Sequence, residues 1–374
     1  MAESFDVIVI GLGGFGSSTL YELAKRGVRA VGIDQFDIGH CLGSSHGETR
    51  IIRRAYFEHP DYVPLLNHTY DMWKELESES GKALMNLTGL VLSGPADGEA
   101  VSGVRKAQEL HDVRIENLTH ADAADRFAQI RFPEHHTILS EDNAGYLRVD
   151  DCVRTHIQQA ISQGATVRAR ERVVGWEAAG DSVTVRTEKQ EYSAARLVVA
   201  AGAWAERLLD GFGLSLSVIR KPTFWFPTEG SAADWPIFYY EEAGRSFYGL
   251  PGLDGTSIKV AEHSGGEPVQ NPTNLPREQQ ASEHADIASF VTESLIGVEP
   301  VASNHSVCMY TMSQDGHFIV DQHPGHRNVT IAAGFSGHGF KFTPVIGRAL
   351  ADLAMEGDSD LPIEFLQLDR GQPS

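Results

Sequence analysis

The sequence predicts an α/β chain of two domains, an α+β arrangement in which a mainly antiparallel sheet is inserted into a parallel one. Three observations predict it. The chain opens on a strand, a glycine cluster and a helix. Its middle crowds aromatic residues in alternation. Its last third returns to a strand, a glycine-rich turn and a helix.

The elements follow in order. Phe5 to Ile10 is short, apolar and β-branched, the pattern of a buried parallel strand. Ser17 to Arg26 carries helix formers with Leu20, Leu23 and Ala24 on one face, and Gly27 stops it. Val28 to Asp34 reads as the second strand of a right-handed βαβ unit. Helical spacing recurs from Tyr62 to Glu79, ending at Gly81, and from Asp150 to Gln163, closed by Gly164. Strands are expected at Thr166–Arg170, Val173–Glu177, Val183–Thr187 and Leu197–Ala200, then a short helix through Leu209.

From Leu214 to about Val260, Phe224, Trp225, Phe226, Phe238, Tyr239, Tyr240, Phe247 and Tyr248 alternate with turn residues, as in an antiparallel sheet. Ser264 to about Glu283 is polar and proline-containing, a loop or lid. Val329–Ala333 is a strand and Thr343–Met355 a helix. These shifts put the nucleotide-binding domain at 1–80, 145–212 and 300–374, and the inserted substrate domain at 81–144 and 213–299.

Composition narrows the function. With 31 basic and 51 acidic residues among 374, the formal charge of −20 argues against a nucleic-acid partner. Three cysteines form no disulfide framework and fit a reducing compartment. No apolar run approaches the roughly 20 residues of a membrane helix, and the first residues lack a signal-peptide pattern. The expectation is a soluble, cytoplasmic protein without membrane partners or a metal.

Gly11-x-Gly13-x-x-Gly16 follows the first strand and opens the first helix, the setting a Rossmann-like dinucleotide site requires. Asp34, 18 residues after Gly16, is placed to accept from ribose hydroxyls and disfavours a 2′-phosphate. The motif does not separate NAD from FAD. A single fingerprint favours a flavin reoxidised by something other than a nicotinamide. Together with Ser306–Thr311 and Gly334–Lys341, it points to a flavin enzyme.

Arg50, Arg53 and Arg54 follow Gly43-Ser44-Ser45-His46-Gly47, where an α/β sheet places ligand-facing loops. They are a solvated basic face or a carboxylate site. Cys308 is a small buried hydrophobe or a thiolate beside a cofactor. Lys341 is a surface lysine or a partner to an anion. Lys259, among Ile258 and Val260, either snorkels at a sheet edge or is buried for a reason. Gly337 and Gly339 offer backbone donors at the turn before the last helix.

Four segments, Ser45–Arg53, Cys308–Thr311, His317–Asp321 and Gly334–Phe342, give the chain a resemblance that runs nearly end to end. It resembles the monomeric sarcosine oxidase family, which includes N-methyltryptophan oxidase. The resemblance implies FAD bound covalently through Cys308, with Ser44, Gly337, Gly339 and Lys341 also on the cofactor. It implies that Arg53 and Lys341 hold a substrate carboxylate, that His46 and Arg50 lie against the flavin, and that Lys259 activates oxygen. Tyr248 and His263 match pocket positions. Ser45 and Glu48 depart from the family's usual His and Asp, and Tyr239 and Tyr240 stand where smaller residues are expected. The implied activity is a monomer's oxidation of sarcosine by O2 and water to glycine, formaldehyde and H2O2. Alternatives are a bulkier substrate, such as N-methyltryptophan or a cyclic or glycated amino acid, and a dehydrogenase with a carrier acceptor.

Overall fold

A computed structural model describes residues 3–209, 214–233 and 235–370. Among them, Glu3–Ile10 lies at the centre of an eight-stranded sheet, parallel to Ala30–Ile33 on one side and Glu191–Val199 on the other. Thr166–Arg168 and His326–Ala333 extend the parallel set. The hairpin Val173–Ala179/Ser182–Thr187 joins antiparallel. Val7, Ile8 and Val9 are fully buried, as expected of a strand covered on both faces. The helix Gly14–Lys25 packs on both Val149–Ser162 and Thr343–Met355, so three distant parts of the chain share one core.

A nine-stranded sheet forms the second layer, antiparallel except where Ile237–Glu242 runs parallel to Leu90–Pro95. Alternation along its strands divides its residues between two faces. Phe224, Phe226, Phe238, Tyr240, Phe247, Ile258 and Val260 share a core with Ile287, Phe290 and Val291 of the helix Ala281–Ser294. The intervening positions Lys221, Tyr239, Tyr248, Lys259 and Cys308 belong to the opposite face.

Three expectations change. The polar stretch holds a two-residue strand, Glu267–Pro268, and a 3-10 turn, Pro272–Asn274, and passes into the helix Ala281–Ser294. Asn304–Met312 pairs along Ser217–Pro227, so sheet membership switches after residue 312 and not at 300. Tyr240 faces the helix, where its ring meets Phe290, and only Tyr239 of that pair reaches the cleft. No helix among the described residues is long and apolar enough to cross a membrane.

Candidate active site

A continuous cleft with about 1980 Å³ of empty space, open solvent at its mouth included, runs between the two sheets. One end is lined by Gly11, Gly13 and Asp34, the other by Arg53, Tyr248, His263 and Lys341. Gly16 packs beneath: a Cβ there would lie 1.7 Å from the Gly11 carbonyl oxygen, so only glycine lets helix meet strand. Asp34 accepts from Leu12 N at 2.7 Å and Phe36 N at 2.8 Å. It therefore shapes the glycine loop as well as facing the cleft.

The C-terminal glycine turn meets the N-terminal one through stacked Phe15 and Phe335, their centroids 3.5 Å apart. Gly337 has φ +81°, and a Cβ there would strike the Tyr310 ring at 2.4 Å. Gly339 also lines the cleft.

Arg50 joins the two halves of the site. Its Nη2 donates to Ser44 O at 3.1 Å and to Cys308 Sγ at 3.3 Å. Cys308 is 5% exposed and donates to Ser44 O at 3.5 Å. Glu48, with φ +68°, is held by Asp150 at its N–H and by Trp225 at its carboxylate. Those ties fix the strand Thr49–Ile52 that carries Arg50.

Deeper in, Arg53 Nη2 donates to both oxygens of Glu58, at 2.8 and 2.7 Å, and Nη1 donates to Ala55 O. The buried Glu141 carboxylate accepts from Arg54 N and Ala55 N at 2.8 Å each, bracing this turn from the second sheet. Lys341 Nζ donates to His338 O at 2.6 Å. Burial pushes the Lys341 pKa down to about 7, against the pull of Glu58. His338 donates to Gly316 O and accepts from Tyr56, and burial lowers its pKa to about 3. Burial likewise lowers His263 to about 4. Both imidazoles are neutral at pH 7.

Lys259 and His46 stand outside the cleft lining. Lys259 Nζ donates to Gly47 O at 3.0 Å, Thr49 O at 2.6 Å and Thr49 Oγ1 at 2.7 Å. It is buried, so snorkelling is ruled out, and burial with nearby Arg50 presses its pKa well below the ordinary value. His46 is also buried, and burial lowers its pKa to about 4. Its Nε2 is a buried polar atom without a hydrogen-bond partner among the described residues.

The cleft thus gathers Gly11, Gly13, Asp34, Ser44, Arg50, Arg53, Tyr248, His263, Cys308, Gly337, Gly339 and Lys341. Sequence reasoning missed Glu58, Lys221 and His338. Lys221 had a signal, the Arg220-Lys221 pair inside a largely apolar strand. Glu58 had only its nearness to Arg53.

The chain matches the family described as FAD dependent oxidoreductase (DAO) over residues 6–353. It is 36% identical to a monomeric sarcosine oxidase of Bacillus sp. (strain NS-129), covering 99% of this chain and 98% of that protein. It is 31% identical to the N-methyl-L-tryptophan oxidase of Citrobacter koseri, covering 94% of each. Its fold superposes on NikD, an unusual amino acid oxidase essential for nikkomycin biosynthesis, with a TM-score of 0.89 at 23% identity over 100% of both chains.

Proposed function

The chain belongs to the FAD-dependent oxidoreductases of the monomeric sarcosine oxidase and N-methyltryptophan oxidase family, and on that premise we propose that it oxidises N-methyl amino acids with dioxygen. Sarcosine is the first candidate: sarcosine + O2 + H2O gives glycine, formaldehyde and H2O2. In this reading the eight-stranded sheet serves the nucleotide and the nine-stranded sheet the substrate. The protein works as a monomer in the cytoplasm.

The residues present fit FAD. The cleft is continuous from the glycine loop to Arg53 and Lys341, so a dinucleotide and a small amino acid can share it. The Nε2 of buried His46, the residue after Ser45 of the lining, has no hydrogen-bond partner among the described residues. Gly11, Gly13, Asp34, Ser44, Arg50, Gly337 and Gly339 would hold the cofactor, with Cys308 as its covalent attachment. FAD, when bound, supplies the two-electron redox chemistry.

The observation that carries the proposal is that Arg53 and Lys341 line the same cavity as Cys308. Two cations can take one carboxylate and so fix the neighbouring N-methyl carbon, a proximity effect. The amine must react unprotonated, and the cations Arg50 and Arg53 favour loss of its proton. His263 and His338, neutral at pH 7, carry no positive charge that would compete with Arg53 and Lys341 for the carboxylate. Lys259, when protonated beside Arg50, favours the negative charge that oxygen acquires.

The aromatic wall of Tyr239, Tyr248 and Tyr310 favours one second reading, a bulkier N-substituted amino acid. Anaerobic flavin absorbance on mixing with sarcosine, N-methyl-L-tryptophan and L-pipecolate tests both. Fast bleaching by sarcosine alone supports the first reading, and bleaching chiefly by a bulky amine supports the second. Flavin that none of the three reduces would sink the proposal.

A further inference from the structure

Lys221 is a third buried cation in the cavity wall. It stands on the strand Ser217–Pro227, directly across the register from Cys308. It is 4% exposed and lines the cleft. Its Nζ donates to three successive carbonyls, His263 O at 2.9 Å, Ser264 O at 2.7 Å and Gly265 O at 2.5 Å. An ammonium has three protons, and these carbonyls take all of them. None remains for a substrate carboxylate, so Lys221 is a pin where Arg53 and Lys341 are clamps.

The pinned turn lies flat on the Lys221 strand. Gly266 has φ +112°, and a Cβ there would stand 2.4 Å from Ile219 Cγ2. His263 opens this turn. Its N–H donates to Ser246 O at 2.7 Å, and its Nδ1 pairs with Tyr310 OH at 3.2 Å. Its ring centroid lies 5.5 Å from Tyr310, 6.1 Å from Tyr239 and 6.4 Å from Tyr248. All three tyrosines face the cleft. One imidazole therefore sets the spacing of the aromatic wall, and the carbonyl next to it is held by Lys221.

We propose that Lys221 is a positioning residue for substrate binding, holding His263 and through it the wall of Tyr239, Tyr248 and Tyr310. The proposal rests on the reading of the cleft as an amino-acid oxidase site. Losing the ammonium leaves three carbonyls without their donor, so the turn relaxes and the wall opens. The effect falls on binding, because the wall borders the part of the cleft where Arg53 and Lys341 hold the carboxylate.

A double-mutant cycle tests it, with Lys221→Met and His263→Asn alone and combined. Two readouts are taken: acetate binding by perturbation of the flavin spectrum, and sarcosine kinetics. Lys221→Met should weaken acetate binding and raise the sarcosine KM by about tenfold, while the limiting rate of flavin reduction changes less than about threefold. In the His263→Asn background the same change should add less than about twofold. Equal losses in both backgrounds, or a loss confined to the limiting rate, would overturn the proposal. If Lys221→Met does not fold, Lys221→Gln, which keeps two donors, is read by the same criteria. Failure of the oxidase reading shows separately, as wild-type flavin that no N-methyl amino acid bleaches. The acetate titrations report on Lys221 in either case.

Discussion

Arg53 grips Glu58 inside the cleft, one guanidinium nitrogen reaching both carboxylate oxygens at 2.8 and 2.7 Å. A carboxylate of the protein thus occupies the cation assigned to the substrate's carboxylate. The Phe57 ring lies against the guanidinium, its centroid 4.1 Å from Arg53 Cζ. Any acid entering this pocket competes with Glu58 for Arg53.

Replacing Glu58 tests that competition. Glu58→Gln leaves Arg53 charged and without its counter-charge, a loss of about 3 kcal/mol for a buried pair. The melting temperature should fall without ligand, and acetate should restore more of it in the variant than in wild type. An acetate-induced rise no larger than wild type's would refute the competition.

The same group predicts an acid limb. Burial would raise the Glu58 pKa, but Arg53, then His338, Lys341 and His263, hold it down at about 2, below the ordinary 4.5. A depressed carboxylate stabilises the fold above its unfolded value and loses that contribution as pH falls through its folded value. Wild-type stability should therefore drop between about pH 4.5 and 2 by more than that of Glu58→Gln. Parallel stability curves for the two proteins over that window would count against it.

Lys341 predicts an alkaline limb in binding. Burial brings its pKa to about 7, so above that pH the empty pocket holds a neutral amine. A bound carboxylate favours the ammonium, so binding takes up a proton. Acetate affinity should fall by up to about tenfold per pH unit above 7. Lys341→Met should remove most of this slope. What remains belongs to Lys221, which burial lowers to about 8. Titrations of both proteins from pH 6 to 9 check it, and an unchanged slope in the variant would reassign the limb.

Legibility of the sequence followed the physics of each signal. Gly11, Gly13, Gly16 and Asp34 were readable because a phosphate loop needs glycine at fixed spacings and a carboxylate at the end of the next strand. The buried strand Glu3–Ile10 was readable for its unbroken apolar run. The helix Ala281–Ser294 was not: Ile287, Phe290 and Val291 are its only buried apolar side chains, and a proline-containing stretch precedes it. The cations posed a different problem. Lys221, Lys259 and Lys341 look alike in sequence, yet one pins a turn, one sits under the Gly47–Thr49 backbone and one faces the cleft. Those tasks depend on partners over 40 residues away or on a fold that aims the side chain inward. Family resemblance named two of the three and passed over Lys221.

Cys308 bears on the cofactor's attachment. Its sulfur lies 3.3 Å from Arg50 Nη2 and faces the cleft, while Cys152 is buried in the helical core and Cys41 is exposed. If Cys308 is the attachment point, acid-precipitated wild-type protein should retain its flavin and Cys308→Ser should release it. Flavin that stays with the denatured Cys308→Ser chain would assign the bond elsewhere, and flavin released from wild type would mean there is none.

Lys259 should separate the two halves of the reaction. It lies outside the cleft lining, so it has no direct hold on an amino acid, but its Nζ stands under the Gly47–Thr49 backbone that leads into Arg50. If Lys259 is protonated when oxygen reacts, as proposed, its removal weakens the positive field there and leaves Arg53 and Lys341 untouched. Lys259→Met should therefore slow reoxidation of the reduced flavin by about a hundredfold or more, the range for losing one preorganised electrostatic group. Anaerobic reduction by sarcosine should change far less. The variant also strips Gly47 O, Thr49 O and Thr49 Oγ1 of their donor, so some loss of stability is expected. Displacement of Arg50 would disturb both half-reactions, whereas loss of charge would disturb mainly one. Stopped-flow measurement of each half-reaction distinguishes them, and equal slowing of both would remove Lys259 from the oxygen step.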